Sequence, residues 1–148
     1  MSGREWLIAG GCLSALASLI HLACIIGGPD WYRFFGAGEG IARAAERGSW
    51  TPHLITVGIA AVLATGAYYA FAGAGIVPRP PLLRTGLMTM TAVYLLRGLV
   101  VFAPSALSRP DLSRDFLLWS SLIVLGYGIV HAVGIWQAWP HLSREDVN

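Results

Sequence analysis

Charged residues are scarce in this sequence. Asp, Glu, Lys and Arg make up only 12% of its 148 residues, and hydrophobic residues make up 55%. A soluble domain usually carries about 25% charged residues. The low charge therefore excludes an ordinary soluble domain and predicts a protein embedded in a membrane. Since no stretch is long or polar enough to fold separately, we expect residues 1–148 to form a single transmembrane domain.

Lysine is absent altogether, so all ten basic residues are arginine. The net charge is only +2, and the arginines are spread along the chain without forming a basic cluster. A nucleic-acid-binding protein needs such a cluster to contact phosphates, so we expect no nucleic-acid partner. The partner that the composition predicts is the lipid bilayer itself.

Motifs for metals, redox chemistry and nucleophilic catalysis are also missing. The two cysteines, Cys12 and Cys24, lie in one apolar stretch, about 18 Å apart along a helix, which is too far for a disulfide. There is no CxxC, no zinc-like spacing, no Ser-His-Asp arrangement and no phosphate-binding loop. The sequence therefore predicts no metal site and identifies no cofactor.

Long apolar runs are what the chain does contain. Four of them, residues 6–27, 51–76, 82–103 and 116–139, are long enough to cross a hydrocarbon layer of about 30 Å. The proline-rich turn at residues 78–81 is so short that the second and third helices must be antiparallel neighbours. The sequence thus predicts an all-α membrane protein with four transmembrane helices in an up-down-up-down bundle.

The ends of the first and last helices follow from local signals. The apolar run of the first helix continues to Ile26, so we expect a retained helix rather than a cleaved signal peptide. Pro140 is expected to end the fourth helix. Both termini then lie on one side. We expect the protein to lie in a bacterial-type inner (cytoplasmic) membrane. Because short N-termini usually stay inside, we expect both termini to be cytoplasmic.

The first connection, residues 29–52, is long and aromatic. We expect Gly27, Gly28 and Pro29 to break the first helix, and Asp30 to cap a short helix that follows. Trp31 and other aromatic side chains are typical of the membrane interface. The connection is therefore predicted to be an interfacial helical loop that lies along the membrane surface.

Several polar residues fall at one depth, on the side of the first and third connections. Because ionisable groups inside a membrane are costly and mark functional sites, we predict a polar pocket there, covered by the aromatic loop. Arg97 is expected to form a salt bridge with Asp30 or Glu39, or to contact a ligand anion. The predicted ligand-binding residues are Arg97, Tyr94, His53, Asp30, Trp31 and Ser120, and the predicted catalytic residues are His21 and Glu39.

Each ionisable candidate has a plainer interpretation. His21 is either an interhelical hydrogen-bond donor or a ligand or proton-transfer group. Glu39 is a solvated or arginine-paired surface residue, unless an apolar environment raises its pKa and makes it a general acid. His53 is solvated or caps a helix. His131 is expected to hydrogen-bond a Ser or Tyr on a neighbouring helix. The alternative is that His131 and His21 are the two axial ligands of a haem. The depths of these residues differ by about 10–12 Å, which is too much for shared ligation.

Three kinds of function fit this pattern. The first is a pocket that binds an amphipathic or anionic small molecule, such as a lipid, a quinone or a sterol-like compound. The second is a membrane-embedded enzyme that acts on such a molecule by His/Glu acid–base chemistry. The third is an accessory subunit of a larger membrane complex, or a homo-oligomer, that packs through small-residue helix faces.

The helix number, the long first connection and a histidine in the first helix, His21, resemble the DoxX-type and EXPERA-type families of small membrane proteins. The resemblance lies at the level of the fold. It implies a four-helix bundle and assigns a role to no individual residue.

Overall fold

The computed structural model describes residues 1–103 and 114–143. These residues form α1 (Gly3–Phe34), α2 (Glu39–Glu46), α3 (Thr51–Gly73), α4 (Leu83–Leu99) and α5 (Arg114–Leu142), and a 3-10 turn at Val100–Phe102 extends α4. Four of these helices, α1, α3, α4 with its extension, and α5, are long and apolar enough to cross a membrane. The predicted all-helical membrane protein with four spans is therefore confirmed.

Glycines allow α1 and α5 to pack closely. A Cβ atom at Gly3 would lie 2.6 Å from the backbone nitrogen of Ala138, and one at Gly10 would lie 2.8 Å from Cε1 of His131. Residue numbers therefore rise along α1 as they fall along α5, so the two helices are antiparallel. Small residues at such contacts let helix backbones approach each other in lipid.

The other neighbouring spans are antiparallel as well. On α4 and α5, a Cβ atom at Gly98 would lie 2.7 Å from the backbone of Leu125, and one at Gly128 would lie 2.7 Å from Cδ2 of Leu95. On α1 and α3, the Ser18 hydroxyl donates a hydrogen bond of 2.8 Å to the Ala60 carbonyl, and a Cβ atom at Gly11 would lie 2.7 Å from Cε1 of Phe71. These contacts confirm the up-down-up-down order. They also place the start of α1, the start of α4, and the ends of α3 and α5 at one face, called the terminal face below.

Large apolar side chains cover the outside of the bundle. Ile26, Leu54 and Trp136 are 91%, 69% and 78% exposed. In water, so many exposed apolar groups would drive aggregation. In a bilayer they contact lipid chains, as the composition predicts.

A sharp kink divides α1 where the span ends. Gly28 has φ 68° and ψ −153°, a conformation that is essentially restricted to glycine, and Pro29 follows it without an N–H for the helix. The predicted break is confirmed. Asp30 is not the cap, because the helix resumes at Pro29 and Asp30 lies in its first turn, with its carboxylate 3.4 Å from Nη1 of Arg33.

Two predicted helix ends differ from the structure. Pro140 lies inside α5, which continues to Leu142, because a proline this close to a C-terminus removes one hydrogen bond while only two more helical residues follow. The Ser143 hydroxyl donates to the Trp139 carbonyl at 2.9 Å, which gives one of the last helix carbonyls a partner. The helix α3 ends at Gly73 rather than at residue 76. The third connection, residues 104–113, lies outside the described residues.

Candidate functional site

Arg33 is the centre of an ion-pair cluster in the first connection. Its guanidinium contacts Glu39 at 2.9 Å, Glu46 at 2.6 Å and Asp30 at 3.4 Å, and Glu39 also accepts a 2.9 Å bond from Arg43. Arg33 therefore fastens the end of α1 to α2. The predicted salt bridge of Arg97 with Asp30 or Glu39 is replaced by this cluster, because Arg33 is only three and six residues from these two carboxylates in sequence.

The pKa of Glu39 is set by its arginine partners. Hydrogen bonds from Arg33 and then Arg43 lower this pKa from 4.5 to about 2, because both guanidinium groups favour the charged carboxylate. The arginine-paired interpretation of Glu39 is confirmed. The alternative, a raised pKa in an apolar mouth, is wrong, so Glu39 holds no proton to donate at neutral pH.

A second link joins the connection to α3. The hydroxyl of Tyr32, which is only 2% exposed, lies 3.0 Å from Nδ1 of His53. Thr56 lies one turn further along α3, and its hydroxyl approaches the same Tyr32 oxygen at 3.4 Å. The contact between Tyr32 and His53 therefore holds the first connection against the start of α3.

A buried polar cluster occupies the centre of the bundle. The hydroxyls of Ser14 and Tyr94 lie 2.8 Å apart, and Ser14 Oγ lies 3.4 Å from Nε2 of His131. The His131 Nδ1–H donates to the Tyr127 carbonyl at 2.8 Å, so a neutral ring leaves Nε2 free to accept from Ser14. This arrangement links α1, α4 and α5, and it confirms the predicted hydrogen bond between His131 and a neighbouring helix.

The remaining predicted site residues make separate contacts. His21 Nδ1 donates to the carbonyl of Ala17, four residues earlier on the same helix, at 2.8 Å; the predicted interhelical bond is therefore corrected to a local one. Arg97 donates to the Ser121 hydroxyl at 3.2 Å. Ser120 donates to the carbonyl of Leu117 at 3.3 Å. Trp31 packs over the Cα of Gly27. The structure thus distributes the predicted residues over several local groups.

A cavity of about 530 Å³ opens at the terminal face. It lies between the start of α1, the end of α3, the turn before α4 and the end of α5. Its polar lining comes from Ser2, Arg4, Arg79, Gln137 and His141, and small or apolar residues such as Ala72, Leu83 and Leu142 form the rest. We call this cavity the terminal basin.

Two arginines of the terminal basin cap helix ends. The Nε of Arg4 donates to the carbonyl of Ala74, directly after α3, at 3.1 Å. Nη2 of Arg79 donates to the carbonyl of Leu142, at the end of α5, at 3.0 Å. The last carbonyls of a helix lack partners within the helix and carry partial negative charge. The arginines satisfy these carbonyls, and the contacts hold the guanidinium groups beside the cavity.

Sequence reasoning missed the terminal basin. Arg4 and Arg79 belong to short polar segments at the ends of apolar runs, where arginine is expected simply as an interfacial residue. The signal that was available is that both segments fall on one side of an up-down bundle. Within the described ranges, 1–103 and 114–143, no three His, Cys, Asp or Glu side chains are placed to share a metal ion.

The chain matches no family model, no curated protein and no solved structure. The resemblance to the DoxX-type and EXPERA-type families therefore rests on the helix number, the long first connection and His21. What can be said of function comes from the fold and from the geometry of these groups.

Proposed function

We propose that this four-helix membrane protein binds an amphipathic molecule with an anionic head group, of which a membrane lipid is the most available, in the terminal basin. The observation that carries the proposal is the pair of arginines held against helix-end carbonyls beside the cavity, Arg4 and Arg79. The cavity volume, about 530 Å³, falls in the range of about 300–1,000 Å³ that is common for small-molecule sites.

The charge around the terminal basin favours an anion. None of the described residues that line it is Asp or Glu. The nearest acidic side chain in sequence, Glu5, accepts a 2.7 Å hydrogen bond from the backbone nitrogen of Ser2 in the cap of α1. A head group in the cavity would therefore meet arginine and neutral hydrogen-bond donors.

The way Arg4 is held also suits anion binding. Its Nε is the nitrogen that contacts Ala74, and in the described part of the chain its two terminal nitrogens have no hydrogen-bond partner. A guanidinium group fixed through one nitrogen offers its remaining donors in a known plane, which matches a phosphate or carboxylate. The apolar wall from Leu83 and Leu142 would contact the start of an acyl chain.

Native mass spectrometry of the purified protein tests this proposal. The protein is mixed with phosphatidylglycerol and phosphatidylcholine that carry the same acyl chains, and the retained lipids are counted. Because one arginine near a membrane surface contributes about 1 kcal/mol to binding an anionic lipid, Arg4→Gln should reduce phosphatidylglycerol retention about fivefold. The glutamine side chain can still donate to the Ala74 carbonyl, so the helix end remains capped.

Arg114→Gln is the matched control, since Arg114 is an exposed arginine at the start of α5, on the opposite face. It should leave phosphatidylglycerol retention unchanged. Equal loss in Arg4→Gln and Arg114→Gln would show only a general charge effect, and it would overturn the proposal. So would a double variant, Arg4→Gln with Arg79→Gln, that retains phosphatidylglycerol like the wild type.

The enzyme alternative has less support. Glu39 as a general acid would need a protonated carboxyl, whereas its arginine partners hold its pKa at about 2, and a carboxylate with so low a pKa is also a weak general base. The Nδ1–H of His21 donates a hydrogen bond to the Ala17 carbonyl in its own helix. Both groups are therefore engaged by local partners.

The accessory-subunit alternative is favoured by one surface of α3. Gly58, Ala61 and Thr65 are exposed there, and a Cβ atom at Gly58 would meet nothing within 4 Å. Small exposed residues at this spacing are typical of helix–helix contacts in membranes. If the chain associates through this face, Gly58→Leu should shift its molar mass in detergent, measured by light scattering, toward the monomer. An unchanged mass would exclude this face as an interface.

A further inference from the structure

The segment of α1 after the kink has two different faces. On one face, Tyr32 and Arg33 hold the segment to α3 and α2. The other face presents residues at i, i+1, i+4 and i+5, which share one side of a helix. These are Asp30, Trp31, Phe34 and Phe35, and they line an open surface cavity of about 440 Å³. We call this cavity the aromatic hollow.

The three aromatic rings of the hollow are arranged at angles to each other. The ring centroids of Trp31 and Phe35 lie 5.8 Å apart, and those of Phe34 and Phe35 lie 5.0 Å apart at 86°. Trp31, Phe34 and Phe35 are 44%, 75% and 41% exposed, so part of each ring is accessible, while the Trp31 indole also packs over the Cα of Gly27. Several non-parallel aromatic rings around one space attract cations, because each ring face carries partial negative charge.

The hollow also has a carboxylate that is open to a second cation. Among the described residues, the Arg33 cluster contains two arginines and three carboxylates. Asp30 makes the longest contact with Arg33 of the set, at 3.4 Å, and its side chain is 93% exposed, so its carboxylate is the most accessible of the three. A cation in the hollow would meet this carboxylate and the aromatic rings together.

The position along α1 places the hollow among lipid head groups. Residues 6–27 form a helix of about 33 Å at ~1.5 Å per residue, which is enough to cross the hydrocarbon layer of about 30 Å. The hollow begins three residues beyond Gly27, at the depth where tryptophan side chains and head groups meet. The terminal basin lies at the opposite face of the bundle.

We infer that the aromatic hollow, Asp30 with Trp31, Phe34 and Phe35, binds the ammonium group of a zwitterionic membrane lipid. An anionic head group would be repelled by the Asp30 carboxylate and by the ring faces. A purely apolar segment would leave the Asp30 carboxylate with only its 3.4 Å contact to Arg33. A quaternary or primary ammonium group satisfies both the rings and the carboxylate, and head groups that carry one are present at this depth in a bilayer.

Retention of phosphatidylcholine, measured by native mass spectrometry against phosphatidylglycerol with the same acyl chains, tests the inference. A cation–π contact at an exposed site corresponds to about a two- to fivefold change in binding. Asp30→Asn and Trp31→Leu should each reduce phosphatidylcholine retention by about this factor, and neither should change phosphatidylglycerol retention in the terminal basin. Asp115→Asn and Trp119→Leu, which change exposed residues near the start of α5, are the matched controls and should retain both lipids.

A competition on the unmodified protein makes the test independent of folding effects. Tetramethylammonium chloride should displace phosphatidylcholine at concentrations where sodium chloride of equal ionic strength does not. Equal displacement by the two salts would overturn the inference, as would equal phosphatidylcholine retention in Asp30→Asn, Trp31→Leu and the two control variants. Loss of phosphatidylglycerol alone, in Arg4→Gln, concerns the terminal basin and leaves the aromatic hollow unaffected.

Discussion

Tyr94 illustrates how one polar side chain is accommodated in the middle of the bundle. It is 4% exposed, and its hydroxyl lies 2.8 Å from that of Ser14 on another helix. Ser14 in turn lies within hydrogen-bond distance of His131 on a third helix. In hydrocarbon, no water is available to hydrogen-bond an unpaired hydroxyl, so these side chains are paired with one another.

Removal of the Tyr94 hydroxyl should therefore destabilise the bundle. Hydrogen bonds between membrane helices contribute about 0.6 kcal/mol on average and up to about 1.7 kcal/mol, and we expect Tyr94→Phe to lower the free energy of unfolding within this range, measured by denaturation in mixed micelles. Tyr127→Phe is the control, because within the described residues the Tyr127 hydroxyl has no hydrogen-bond partner. Equal effects of the two variants would contradict this account.

Glu39 gives the stability of the connection a defined pH dependence. Its pKa is lowered from 4.5 to about 2 by Arg33 and Arg43, so its ion pairs stabilise the folded state fully above pH 4.5. This contribution decreases as the pH falls and is lost as the pH passes through about 2. The thermal midpoint of the wild type should exceed that of Glu39→Gln by a constant amount above pH 5, and the difference should shrink below pH 4.5. A difference that is independent of pH down to 2 would contradict the prediction.

Individual side chains were predictable where chemistry restricts them to one role. The bond from His131 to a hydroxyl on another helix followed from the cost of an unpaired group in lipid. The partner of His21 did not follow, because a helical histidine can bond either a neighbouring helix or a carbonyl of its own helix, as it does with Ala17. The role of Arg33 depends on where α2 folds back, and spacing along the chain does not specify that.

Among the elements, the kink in α1 has the largest effect on the site. Gly28 adopts φ 68° and ψ −153°, and the chain changes direction there at the end of the hydrocarbon layer. The two faces of the following segment, one tied by Arg33 and one forming the aromatic hollow, depend on this change.

Gly28→Ala should disturb this turn. A side chain at this backbone conformation costs about 1–3 kcal/mol, so we expect the connection to detach more often and trypsin to cleave at its arginines faster. Gly40→Ala is the control, since Gly40 is helical and a Cβ atom there would meet nothing within 4 Å. Cleavage at equal rates in the wild type and Gly28→Ala would show that the turn tolerates a side chain.

The existence of each transmembrane helix was predicted more accurately than the residues at which it begins and ends. Length and hydropathy alone indicate each span, because a chain in lipid must satisfy its backbone within a helix. The exact end of each helix depends on individual hydrogen bonds in its last turn. Pro140 was expected to stop α5, but so near the end of the helix its missing N–H costs too little to do so.

For the whole molecule, the antiparallel order makes a prediction about sidedness. Position 143 and position 78 lie at the terminal face, and position 49 lies at the other. With cytoplasmic termini, Ser49→Cys should react with an impermeant thiol reagent in intact cells, in a background with Cys12 and Cys24 replaced by alanine. Ser143→Cys and Pro78→Cys should react only after the membrane is opened.

The labelling pattern separates two questions. If positions 143 and 78 react together and position 49 reacts separately, the bundle order holds in either orientation. The expected orientation is overturned if the first two react in intact cells. If positions 143 and 78 react on different sides, the four-span arrangement itself is wrong.

The terminal basin could not be predicted from sequence, for a reason that concerns the whole molecule. Its lining comes from residues as far apart as Ser2 and Leu142, and it depends on which helices are neighbours around the bundle. Alternation of spans establishes which ends share a face. It leaves open the order of the helices around the axis, which decides whether four ends enclose a space.

The contact of α1 with α5 has a consequence for biosynthesis. Gly3 faces Ala138 and Gly10 faces His131, so α1 packs against a span that is synthesised well over a hundred residues later. Until α5 is made, Ser14 lies in the bilayer without His131 beside it. A nascent chain that stalls before α5 therefore presents an incomplete bundle to quality-control proteases, and synthesis of α5 closes it.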